Sequence, residues 1–181
     1  MEQLKTGDLV MFQGQAWTSY VVRILTFSKW SHCGMIWRDP PGEKPGVYLL
    51  HSDGTLKEFG VQLVPFQQYV DEYSGKVFVY PLQGIDPARF QDLARIYQET
   101  KDAGYALYPP DIIRVVNGGC FSRAHQTQYF VCSTYNAYVY NQIGLICSCN
   151  DWTIVRPRDL VGNSDRIQWQ ECSFTERITL K

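Results

Sequence analysis

This chain is poor in the features that mark several large protein classes. Charge of one sign is missing. Lys+Arg 17 against Asp+Glu 18 leaves a net charge of −1 at pH 7, so no basic field gathers nucleic acid, and that partner is not expected. No run of 18 uninterrupted apolar residues occurs, so no integral membrane segment is expected. The opening MEQLKTGDLVMFQG lacks a basic start followed by an apolar stretch, so it does not read as a secretory signal. Asn-x-Ser/Thr acceptors, internal repeats and low-complexity tracts are missing too, and the closing RITLK carries no prenylation box. Charged residues are only 19% against 45% hydrophobic, which excludes a disordered polyelectrolyte. Histidine is scarce, with three residues, so each one weighs in the search for chemistry.

Cysteine is not scarce. The six lie at 33, 120, 132, 147, 149 and 172. An even count invites a disulfide framework, but the chain is long for a stapled mini-domain and shows no secretory signal. Reduced thiols in a cytoplasmic, reducing compartment are expected. Zinc needs paired Cys-x-x-Cys or Cys/His spacing. Only Cys147-Ser148-Cys149 is close, and it reads as two ordinary loop cysteines, with a redox role as the alternative. No metal and no cofactor are expected.

At 181 residues the chain suits one domain, 1–181, with a core that needs no staples. Apolar runs at 8–13, 32–37, 47–52 and 76–80 read as strands. RDPPGEKPG at 38–46 reads as a loop and Asp53-Gly54 as a turn. Trp17, Val21, Ile24 and Leu25 have helical spacing, which predicts an amphipathic helix over 16–28. Asp86-Pro87 is a helix start, an N-cap carboxylate before the residue favoured at the first position. Phe90, Leu93, Ala94 and Tyr97 supply that helix's stripe, and Gly104 its stop. Residues 105–127 read as irregular. A further helix is predicted from about 129 to 143, closed by Gly144, with Cys132 in its first turn. Residues 145–181 show no strong period and are expected to add a short strand. The economical class is α+β, an antiparallel sheet packed against helices.

His32, His51 and Cys132 belong together. If Ile36 faces Val47 in an antiparallel pair, Gly34 faces Leu49 and His32 faces His51. Side chains two apart share a face, so both imidazoles point to one side within hydrogen-bond reach. The long loop leaves this register open. A cysteine in the first turn of a helix meets the positive end of the backbone dipole, which favours the thiolate, and a nearby imidazole favours it further. Cys33 is a rival nucleophile, but it points to the opposite face from His32 and has no helix terminus beside it. Thiol, imidazole and an orienting third group make a cysteine nucleophile.

The runs LKTGDLVMFQG, ILTFSKWSHCGMIW, VYLLHSDG, YFVCSTYNAYVYNQIG and TIVRPRDLVG, in that order, resemble the circularly permuted NlpC-like cysteine hydrolases of the papain-like superfamily, including bacterial YiiX-type and poxvirus members. Gly7-Asp8, Ser31-His32-Cys33-Gly34-Met35, Cys132-Ser133 and Arg156-Pro157-Arg158-Asp159-Leu160 carry the resemblance, over residues 5–161. It implies a permuted papain-like fold with Cys132 as nucleophile and His32 as general base. The third position of YiiX-type members is usually Glu. Here it falls on His51, as in the lecithin:retinol acyltransferase-like branch, although that branch's Asn-Cys-Glu-His segment is replaced by Val131-Cys132-Ser133-Thr134. Asp53 or Glu58 could orient the base instead if the register shifts.

The expected activity is hydrolysis of an amide or ester through a Cys132 thioester, by a thiol peptidase, amidase or lipid acyl hydrolase. Acyl transfer and an inactive binding module are the alternatives. The expected partner is a peptide or an acylated small molecule. Tyr105, Tyr108, Tyr129, Tyr135 and Tyr138 would suit an apolar ligand or simply pack the core. Tyr20–Leu25 could touch lipid transiently, but packing on the sheet is the plainer role.

Overall fold

The computed structural model describes residues 3–15, 28–54, 59–105, 128–162 and 164–181. The helix expected over 16–28 lies outside them apart from Ser28, and so do Glu58, Tyr108 and Cys120. The architecture is α+β around an antiparallel sheet. Strands β1 (Leu9–Gly14), β2 (His32–Arg38), β3 (Val47–Gly54), β4 (Phe59–Pro65), β5 (Gly75–Tyr80) and the terminal β10 (Ile178–Thr179) form it, in the order β10-β5-β1-β2-β3-β4. Alternate residues feed two cores. Leu9, Met11, Cys33, Met35 and Leu50 point to one face; Val10, Phe12, Ile36 and Leu49 point to the other. Because both faces are covered, these strands read as unbroken apolar runs rather than as alternation.

Helix α1 (Phe66–Glu72) lies on the second face and buries Phe66 and Val70 there. The first face carries α3 (Cys132–Gln142), whose residues Cys132 to Tyr140 are all buried. A helix surrounded in this way needs no polar stripe. The sheet covers one side of it, and the 3-10 turns Trp152–Ile154 and Pro157–Leu160 cover another. Asp159, 97% shielded, fixes the second turn by a two-pronged bond to Arg156 at 2.9 and 3.0 Å.

Several expectations are corrected. Strand β4 and helix α1 occupy a stretch that carries no clear period. The helix after Asp86 opens as a 3-10 segment, Pro87–Asp92, with the Asp86 carboxylate accepting from Ala88 N–H, and continues as α2 (Leu93–Thr100). Gly104 is not its stop; it lies in β7 (Gly104–Tyr105), parallel to β8 (Tyr129–Phe130). The expected helix from 129 therefore starts at Cys132, because Tyr129 and Phe130 are claimed by pairing. The tail is mainly turns. It also adds β10 to the sheet edge, and β9 (Ser173–Phe174) pairs with β6 (Leu82–Gln83). Cys147 and Cys149 are joined in a disulfide, against the expectation of reduced thiols throughout; a tight turn brings the two sulfurs together. Cys33, Cys132 and Cys172 are free.

Candidate functional site

The β2–β3 register differs from the sequence expectation by two residues. Ile36 pairs with Leu49 and Met35 with Leu50. A shift of two keeps every side chain on its face, so the shared face of His32 and His51 survives while their direct opposition does not. Continued along the strands, the pairing sets Gly34 opposite His51. A side-chain carbon on Gly34 would stand 2.6 Å from Leu49 Cδ1 and 3.1 Å from His51 Cβ. The glycine two residues after His32 thus leaves room for the second imidazole.

The start of β2 is held firmly. Ser31 Oγ donates to Phe12 O (3.1 Å), accepts from Gly14 N–H (2.8 Å) and meets Tyr73 Oη (3.1 Å). His32 follows, only 8% exposed. Its Nε2 lies 2.8 Å from His51 Nδ1, with the rings edge to face. Tyr69, reaching down from α1, packs against both rings and donates its hydroxyl to Asp53 Oδ2 at 3.0 Å. Burial first, then the charge of His32, pushes His51 down to about 3, with Asp53 pulling weakly the other way. His51 is therefore neutral near pH 7. Among the described residues its Nε2 is buried without a hydrogen-bond partner. Burial raises the Asp53 carboxyl, but the two imidazoles, the Tyr69 hydroxyl and the Gly54 amide outweigh it and hold Asp53 below its ordinary range.

Cys132 is the first residue of α3. Thr134 Oγ1 accepts from Val131 N–H and donates to Val131 O, both at 3.1 Å, and so closes the helix start. Ser52 Oγ donates to Phe130 O (3.0 Å), tying the segment before Cys132 to β3. The thiol is pulled well below its ordinary range. A hydrogen bond from the Cys33 thiol contributes most; burial opposes it; the His32 ring and the Cys33 backbone N–H add to the lowering. Cys33 moves the opposite way, raised by burial and by its neighbour. The expectation that Cys33 has no helix terminus beside it is corrected: it lies on the face of β2 that α3 covers, in contact with the thiol at the helix tip.

Two further residues gather here without a sequence signal that marked them. Asn136, one turn after Cys132 and buried, donates to Cys132 O at 2.8 Å and to Cys33 O at 3.4 Å. Tyr69 lies in the helix that sequence patterning missed. The i+4 spacing from Cys132 could have pointed to Asn136. Of the tyrosines, Tyr105 packs against Gly54, and its hydroxyl is raised well above the usual range by burial and then by Cys132 and Asp53. Tyr135 is core, its hydroxyl 3.2 Å from Thr100 Oγ1. Tyr138 packs on Phe130 and Trp152, and Tyr129 is exposed.

A ring nitrogen from each histidine and an Asp53 oxygen lie within 4.8 Å of one another. Two imidazoles and a carboxylate form a donor set that borderline divalent ions accept, so these residues fit a metal as well as a proton relay. Among the described residues no helix is long and apolar enough to cross a membrane.

No family model matches the sequence, and no curated protein matches it. Among solved structures, the fold is similar to the crystal structure of metalloprotein yiiX from Escherichia coli O157:H7, DUF1105. The TM-score is 0.58 with 16% sequence identity, over 99% of this chain and 97% of that one. At this identity the likeness is one of fold.

Proposed function

We propose that this chain is a cysteine hydrolase of amide or ester bonds, with Cys132 as nucleophile, His32 as general base and His51 as the group that orients the base. The observation that carries this reading is the continuous contact from the Cys132 thiol through His32 to His51. His32 Nε2 faces His51, so Nδ1 is the nitrogen that serves the thiol. For that nitrogen to accept a proton, Nε2 must carry the hydrogen and donate it to His51 Nδ1. A neutral His51 is the partner this tautomer needs. Asp53 lies close enough to offset the charge that develops on the pair. The thiolate attacks the carbonyl carbon. The backbone N–H of Cys132, at the helix start and without an intrahelical acceptor, donates to the oxyanion. His32 returns the proton to the leaving amine or alcohol, and water then cleaves the thioester. Acyl transfer differs only in the nucleophile of that last step.

The test is thiol labelling of the whole protein with iodoacetamide at pH 6, followed by peptide mapping and a screen of peptides against acyl esters. A thiol at the ordinary 9.0 is about 0.1% ionised at pH 6. Cys132 should be modified at least about tenfold faster than Cys172, and His32→Ala should remove the difference. Equal rates at the two cysteines would overturn the reading.

The cluster of His32, His51 and Asp53 favours one second reading, a metal-dependent hydrolase, and the similar E. coli protein is called a metalloprotein. These three residues would hold the ion, which would supply an activated water in place of the thiolate. Cys132→Ser separates the two: it abolishes activity in the first reading and spares it in the second, where Asp53→Asn instead lowers metal content measured on dialysed protein.

A further inference from the structure

The Cys147-Ser148-Cys149 turn lies beyond the far end of α3, about 15 Å of helix from Cys132. The rest of the chain frames it. Cys147 N–H donates to Gln168 O (2.9 Å), Asn150 N–H to Cys147 O (3.0 Å), and Gln168 N–H to Asn150 Oδ1 (2.7 Å). Asn141, in the last turn of α3, donates to Ile146 O and Cys147 O at 3.4 and 3.1 Å. The sulfurs thus meet within a fixed turn, and opening the bond costs little backbone order.

The two sulfurs are also unlike. Cys147 Sγ receives the Cys149 backbone N–H at 3.2 Å, a donor that favours a thiolate there. Cys149 Sγ lies 3.9 Å from Gln168 Oε1, an acceptor ready for an S–H once the bond is open. Cys149 is exposed and lines a cleft of about 320 Å³ with Asn141, Ser148, Asn150, Asp151 and Trp152. Cys147 is half-buried.

We propose that this turn is a thiol–disulfide exchange site for a low-molecular-weight thiol. The incoming thiolate occupies the cleft and attacks Cys149 Sγ. The S–S bond breaks, and Cys147 leaves as a thiolate held by the Cys149 N–H. A second small thiol, as its thiolate, attacks the sulfur of the first in the mixed disulfide. Cys149 is released and takes up a proton to face Gln168. The balance is one protein disulfide reduced by two electrons and two small thiols oxidised to their disulfide; the reverse reaction oxidises the pair. The site shares no residue with the Cys132 centre and does not depend on the hydrolase reading.

The experiment uses the full chain carrying Cys132→Ser, equilibrated in mixtures of reduced and oxidised glutathione, quenched in acid and alkylated. Mass spectrometry reads the peptide containing residues 147 and 149. It should carry no alkyl group or two, switching together as the reduced fraction rises, and any trapped mixed disulfide should carry glutathione on Cys149 and one alkyl group on Cys147. In Cys147→Ser, glutathione should accumulate on Cys149 about tenfold faster than on Cys147 in Cys149→Ser, and faster than on Cys172. Single alkylation without glutathione on Cys149, a pair that stays reduced or stays oxidised at every ratio, or equal adduct rates in the two variants would each overturn the proposal.

Discussion

Acidification should expose the state of His51. In the folded chain this imidazole is driven from 6.5 to about 3 by burial and by His32. Between those values the unfolded chain binds close to one more proton than the folded one, so stability rises with pH through this window. The sign follows: a His lowered on folding contributes its full stability above the unfolded value, and this is lost as the pH falls toward the folded one. With about 1.4 kcal/mol per pH unit, the loss is about 2 kcal/mol from pH 7.5 to 5 and about 3 kcal/mol by pH 4. His51→Gln removes the titration and keeps an amide that can face His32. Urea unfolding followed by tryptophan fluorescence at pH 7.5 and 5 measures both proteins, and the difference between them cancels contributions from carboxylates common to both. The wild type should lose about 2 kcal/mol more than the variant. Equal losses would mean that His51 accepts a proton in the folded state, and the argument for a neutral orienting partner of His32 would fail.

Further outcomes are expected elsewhere. Asp159→Asn breaks a buried two-pronged pair and leaves Arg156 uncompensated, so about 3 kcal/mol of stability should vanish in urea titrations. Burial raises Asp159, but Arg156 and Ser164 outweigh it and hold it low, so its contribution is present above the ordinary carboxylate range and is lost as pH falls below it. Gly60 has φ +98°, and a side-chain carbon there would stand 2.3 Å from Ala103 O; Gly60→Ala should cost at least about 2 kcal/mol, read as a lowered thermal midpoint. Ser133 Oγ donates to the buried Val155 O at 2.7 Å. Ser133→Ala should cost about 1–3 kcal/mol, again in urea, since it strands that carbonyl.

What could be read in advance was local. The central strands announce themselves as apolar runs, Asp86-Pro87 marks a helix start, and the helix closed by Gly144 carries Cys132 near its beginning, although the exact start comes from the pairing of Tyr129 and Phe130. The period of two along a strand places His32 and His51 on one face whatever the even shift between strands. By contrast, β4 carries Gly60 and Pro65, and α1 buries only Phe66 and Val70 among its seven residues, too few for a stripe to show. Seven backbone pairs with β3 make β4 a strand nonetheless.

The amino-acid order by itself determined the elements with strong periods and the faces onto which their chemistry-bearing side chains turn, since both depend on backbone geometry within a few residues. The tertiary structure alone decided the register that sets His51 opposite Gly34, the approach of Cys33 to the thiol at the tip of α3 and to Asn136, and the placement of Tyr69. These depend on contacts between residues up to about a hundred positions apart, whose energies come from packing and burial that no local pattern encodes.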